Sequence, residues 1–173
     1  MVVPDELREL RTQDDIRVAV QEKATKYGNL DHPLLVAINV LDDLCDEDDV
    51  LSALFDEQII AFRQEDGSFR DDWRRDTNGA WIDRSGPRNR FASAVSIAHR
   101  LSPSTLRSRT VEVIHNPWAE NPLPLNSLRL PQLTISIPDG RIERHEGTSH
   151  AALLGIPEPW PVEDCYWQRS GDL

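Results

Sequence analysis

The chain has 173 residues, 39% hydrophobic and 28% charged, the composition of a globular domain large enough to bury a core of its own. Its longest apolar run, LLVAINVL, is far short of the roughly 20 residues that cross a bilayer, and MVVPDELREL lacks the basic-then-apolar order of a secretory signal, so neither a membrane span nor secretion is expected. A net charge of −11 disfavours non-specific adhesion to nucleic acid, and Cys45 and Cys165 stand in no metal spacing, so a reduced, cytoplasmic protein with two incidental thiols is expected.

In chain order, Thr12 with Asp15 three residues on has the form of a capping box. Ile16, Ala19, Val20, Ala24 and Tyr27 recur at helical spacing, and Gly28 is placed to close the helix. The unbroken apolar run Leu34 to Ile38 predicts a strand buried on both faces inside a parallel or mixed sheet. Asp46 to Asp49 lead into a second helix with Val50, Leu51, Leu54 and Phe55 on one face.

Ile59 to Phe62 has the makings of a short strand, with turn signals at Asp66-Gly67 and Asn78-Gly79. Residues 63 to 90 are expected to form a long surface excursion with one or two weak strands, carrying Trp73 and Trp81. Arg90 to His99 predicts a strand with Phe91, Val95 and Ile97 on one face and Ala92, Ala94, Ser96 and Ala98 on the other. Thr110 to His115 is another strand, ended by Asn116-Pro117. Leu133 to Ile137 and Arg141 to His145 form a hairpin about Pro138-Asp139-Gly140, and Thr148 caps a short helix to Leu154. One α/β domain over residues 1–160 is expected, a mixed sheet flanked by helices, followed by an irregular tail at 161–173.

Charge is unevenly spread. Between Arg84 and Arg109 lie six arginines and no acid, and 17 of the 19 basic residues are arginine. This island suits phosphate or an acidic partner, because a guanidinium presents a planar fork of donors. Trp118, in the rigid turn HNPWAENPLP, is either a stacking platform beside Arg107 and Arg109 or a plug at the end of the sheet.

Catalytic signals are thin. The acids Asp42, Asp43, Asp46, Glu47, Asp48 and Asp49 lack the alternation and the glycine of a calcium loop, and helix capping accounts for them. HEGTSH is one residue longer than a zinc HExxH helix, and Gly147 would interrupt one. There is no GxSxG elbow, Walker loop or GxGxxG. His99 and His115 at strand ends, with Glu112, make the only constellation for a hydrolase, and histidines in such places are more often structural.

The phrases KYGNLDHPLLVAIN, DEDDVLSALF and HNPWAENPLP resemble, in the same order, a group of uncharacterised bacterial proteins. The helix and strand over residues 12–41 also resemble the second half of the restriction-endonuclease-like nuclease fold, which implies a nuclease-like α/β architecture. Those enzymes hold Mg²⁺ with an Asp and a (D/E)xK on adjacent strands. Here Gln21 precedes Lys23, Ala24 precedes Lys26, and no other lysine exists. The expectation is a non-catalytic interaction or accessory protein with no catalytic residue, metal or cofactor. Arg88, Arg90, Arg107, Arg109 and Trp118 would be its contact surface for nucleic acid or an acidic protein. The alternatives are a metal-dependent hydrolase or nuclease, and a homo-oligomeric structural protein joined at an open edge of the Leu34 to Val40 strand.

Overall fold

The computed structural model describes residues 5–55, 78–137 and 140–160, with side chains from Thr12 onward. Helix α1 (Asp5–Tyr27) leads to strand β1 (Leu34–Val40) and helix α2 (Glu47–Phe55). A small hairpin, β2 (Ile82–Asp83) and β3 (Gly86–Pro87), precedes β4 (Ala92–His99) and β5 (Val111–His115). Strands β6 (Gln132–Ser136) and β7 (Arg141–His145) and the short helix α3 (His150–Leu153) follow. The main sheet has five strands in the order β1-β4-β5-β6-β7. β1 is parallel to β4 and β5 to β6, while β4–β5 and β6–β7 are antiparallel. The domain is therefore α/β, a mixed sheet flanked by helices.

One face of the sheet carries the core. Val36 and Val40 of β1, Val95 and Ile97 of β4, Ile114 of β5, and Leu133 and Ile135 of β6 meet Ile16, Val20 and Ala24 of α1. Val50, Leu51, Leu54 and Phe55 of α2 complete that layer, as their helical spacing requires. On the opposite face Ala94, Ala98 and Val113 are buried outside this cluster, with the polar His115 and Gln132.

Several local expectations hold. Gly28 adopts φ +57°, a left-handed conformation that side chains resist, and its N–H donates to Ala24 O at 2.9 Å. Others are corrected. Thr12 is no cap, because α1 extends to Asp5; its hydroxyl bonds Asp42 instead. β1 is buried on one face only and, among the described residues, lies at the edge of the sheet, since a run of aliphatic residues also suits an edge that a helix covers on one side. Trp81 belongs to the core, fully buried and edge-on to Phe55 at 5.0 Å between ring centroids, because residues 80 and 81 bond the carbonyls of Ala53 and Leu54. The tight turn of this region is at Arg84 and Ser85, and Asn78 bridges Asp83. The cap of α3 is Ser149, whose Oγ accepts from Ala152 N at 3.2 Å, one residue beyond Thr148. Ile59 to Phe62, the turn at Asp66-Gly67, Trp73, Cys165 and Trp167 lie outside the described residues.

Candidate functional site

The acid loop after β1 is accounted for by local structure. Asp46 and Asp49 cap α2 reciprocally: Asp49 N donates to Asp46 Oδ1 at 3.0 Å, and Asp46 N to Asp49 Oδ2 at 3.1 Å. Asp49 also accepts from Gln13 at 2.9 Å, and Asp42 accepts from Thr12 at 2.6 Å and from Leu44 N at 3.1 Å. Asp43 pairs with Arg100, and Glu47 with Arg144. Partial burial, then the neighbouring Asp46, Glu47 and Asp49, pushes the Asp48 carboxyl above its usual range.

Above this loop, at the carboxyl ends of the parallel strands β1 and β4, lies a cleft of about 250 Å³, lined by Asp42, Asp43, Cys45, Asp46, His99, Arg100 and Arg109. Ligands of open α/β sheets gather at such ends. Arg100 turns the chain there in a left-handed conformation, φ +49°, fixed by its N–H on Val40 O at 2.7 Å. Beside it Asn39 and Leu101 exchange two hydrogen bonds, 2.9 and 2.8 Å, a clamp that no sequence signal announces. Cys45 is a poor nucleophile here: burial first, then Asp49, Asp42 and Asp46, push its thiol up to about 12. Among the described residues, no three His, Cys, Asp or Glu side chains are placed to hold a metal ion.

The arginine island, continuous in sequence, is divided in space. Arg88 and Arg90 stand at the start of β4 and share a cleft with Gly28 and Glu120, whereas Arg100 and Arg109 line the cleft at its far end. Eight strand residues, about 25 Å at 3.3 Å each, separate the two groups. Most of these side chains also have work within the fold. Arg88 reaches Asp83 at 3.4 Å, Arg90 Nε bonds Trp118 O at 3.0 Å, and Arg107 bonds Ile156 O at 2.8 Å and pairs with Glu158. Arg109 is exposed and, among the described residues, its side chain makes no hydrogen bond or ion pair. Trp118 is half-buried against the core, its ring 6.2 Å from that of Phe55. Asn116 orders its turn by accepting from Trp118 N and donating to Ala92 O.

The hydrolase constellation is not assembled. β5 pairs antiparallel with β4, so His115 lies opposite Ala94, five residues, or about 16 Å, from His99 along the strand. Alternation puts Glu112 on the helix-covered face with Ile114 and His115 on the other. His115 bonds Gln132 at 2.7 Å, and Gln132 in turn donates to Leu128 O at 2.9 Å. Burial is the main cause holding the His115 imidazole below its usual value, which favours the neutral ring. HEGTSH forms no helix before His150: a Cβ on Gly147 would come within 2.2 Å of the Leu130 backbone, so glycine is needed for close approach.

The two edges of the sheet differ sharply. β7 carries Arg141, Glu143 and Arg144, all exposed, the charges that keep an edge from pairing. β1 reads LLVAINV, without charge or proline, and among the described residues it pairs only with β4. Its exposed surroundings are apolar too: Leu41 is 73% and Leu44 50% accessible.

No family model matches the chain, and neither a curated protein nor a solved structure does.

Proposed function

We propose that this chain is a non-catalytic interaction module, an accessory protein that docks through the open edge of β1. The observation that carries this reading is the contrast between β1, uncharged and among the described residues paired only with β4, and a charged β7 in the same sheet. Strand addition to such an edge satisfies a row of backbone donors and acceptors at once. Kinship with a nuclease-like fold belongs to the same proposal, with the helix-and-strand unit kept and the catalytic pair absent. The separation of His99 from His115, and of Glu112 from His115 across the sheet, argues in the same direction. Nucleic acid is the less favoured partner, because Arg88, Arg90 and Arg107 are held by contacts within the chain.

The test has two arms. Purified protein incubated with Mg²⁺, Mn²⁺ or Zn²⁺ and single- and double-stranded DNA and RNA should leave every substrate intact; cleavage that Glu112→Gln abolishes would overturn the non-catalytic reading. For the edge, a synthetic peptide copying residues 34–40 should bind the wild-type protein and not Ala37→Lys, a charge placed at an exposed position of β1. Equal binding to both, or none to either, would remove β1 as the docking surface.

A further inference from the structure

Resting on that reading of β1, we infer that the occupant of the edge is a second copy of this chain, joined by a two-fold axis through β1 so that two five-stranded sheets become one of ten. The argument is self-complementarity along the strand. α1 runs antiparallel to β1: Thr12 near its start bonds Asp42 just past the end of β1, and its last turn leads through Gly28 and Leu30 to the beginning of β1. The carboxyl end of β1 therefore has acids beside it. Asp15 lines a cleft of about 270 Å³ with Ile38 to Asp42, and its neighbour Asp14 is exposed and paired with Arg17 of the same helix. The amino end has the chain's only two lysines, Lys23 and Lys26, both exposed.

A two-fold axis normal to the sheet pairs β1 antiparallel with itself and leaves both α1 helices on one side. The acidic end of each copy then meets the lysine end of the other, twice by symmetry. Centred on Ala37, the pairing sets Val36 opposite Ile38 and Leu34 opposite Val40 of the other copy. Leu41, 73% exposed, then falls opposite Pro33, close to Leu30 and Tyr27, which are 37% and 48% exposed. Apolar surface meets apolar surface at both ends of the strand, and the charges flank it. A parallel arrangement would set acid against acid. Within the strand the edge carries no lysine, no inward charge and no proline, and the irregularity in its pairing with β4 is confined to its amino end, between Leu34 and Leu35.

The experiment is sedimentation velocity on the full chain at tens of micromolar in low salt. Wild type should sediment as a dimer and Ala37→Lys as a monomer with an unchanged far-UV circular dichroism spectrum. Two charge variants then test the geometry: Lys23→Glu with Lys26→Glu, and Asp14→Lys with Asp15→Lys. Each alone should dimerise at least tenfold more weakly, since like charges meet at both ends, whereas a one-to-one mixture should recover dimers. A monomeric wild type overturns the second copy as occupant and leaves the edge to the peptide test above. A dimer indifferent to Ala37→Lys shows another interface and overturns the inference. A dimer lost in both charge variants and not recovered on mixing overturns the antiparallel pairing.

Discussion

Arg90 donates from Nε to the backbone carbonyl of Trp118 at 3.0 Å, tying the entrance of β4 to the turn that leaves β5. Glu120 returns the bond from the other side, its N–H on Arg90 O at 2.9 Å. An arginine and a tryptophan that look in sequence like two parts of a binding surface are thus parts of one loop anchor.

The consequence for mutagenesis is that arginines of the island separate into two classes. Arg90→Ala and Arg107→Ala should each lower stability by about 1 kcal/mol, the usual net worth of such a bond. Arg109→Ala, which removes no contact among the described residues, should stay within about 0.5 kcal/mol of wild type. Urea midpoints for the three variants decide this; equal midpoints would show that the bonds to Trp118 O and Ile156 O contribute nothing.

Trp81 is fully buried, yet among the described residues its Nε1 has no hydrogen-bond partner. Trp81→Phe loses ring volume and also removes an orphaned donor, whose burial costs about 1–3 kcal/mol. The two effects oppose each other, and a net change within about 1 kcal/mol is expected. Trp81→Ala should cost about 3–5 kcal/mol, because it leaves a cavity against Phe55. Chemical denaturation of both variants measures the contrast, and a large loss in Trp81→Phe would reveal a bond to the indole.

The reciprocal bonds of Asp46 and Asp49 predict that Asp46→Ala costs about 1 kcal/mol while Asp46→Asn, which keeps an acceptor, costs a few tenths. If capping is the whole role, added Ca²⁺ or Mg²⁺ should leave the melting temperatures of both variants and of wild type where they were.

Glu112 is held above the usual carboxylate range by burial first and by Glu47 second, with Arg144 pulling the other way. A carboxyl whose folded value is raised favours the fold when protonated and loses that advantage as pH rises through the folded value. Glu112→Gln should therefore melt at a higher temperature than wild type at pH 7, and the gap should close as the pH falls below the ordinary glutamate value of 4.5. Melting curves across that range check the sign; a gap that widens in acid would contradict it.

With its thiol near 12, Cys45 should resist alkylation at pH 8 in the native protein and react promptly in denaturant, measured in a Cys165→Ser background. Fast native labelling would mean that the loop carrying Asp42 to Asp46 opens readily.

Much of the local structure is legible in the residues. The 3.6-residue recurrence of Ile16, Val20 and Ala24, the closure at Gly28, the acids ahead of α2 and the alternation of Val95 and Ile97 are written within a few residues of where they act. The position of Trp81 was not legible, because its burial depends on bonds to Ala53 and Leu54, nearly thirty residues earlier, and its flanks are charged. Nor was the true start of α1, since Leu7 and Leu10 are the only apolar residues of DELREL, too short a pattern to mark a helix, and Thr12 mimics a cap.

Short-range periodicity and capping chemistry therefore determined, from the sequence alone, that this is an α/β chain with a buried helical layer and an acid loop made for a helix terminus. Strand neighbours are another matter: they form between segments dozens of residues apart, and nothing in LLVAINV says whether one strand or two will flank it. Only the tertiary structure decided that β1 stands at an edge among the described strands, that one run of arginines serves two ends of a sheet, and that Glu112 and His115 face opposite ways. Pairing direction sets all three at once, since reversing or shifting a strand changes which end and which face every side chain meets.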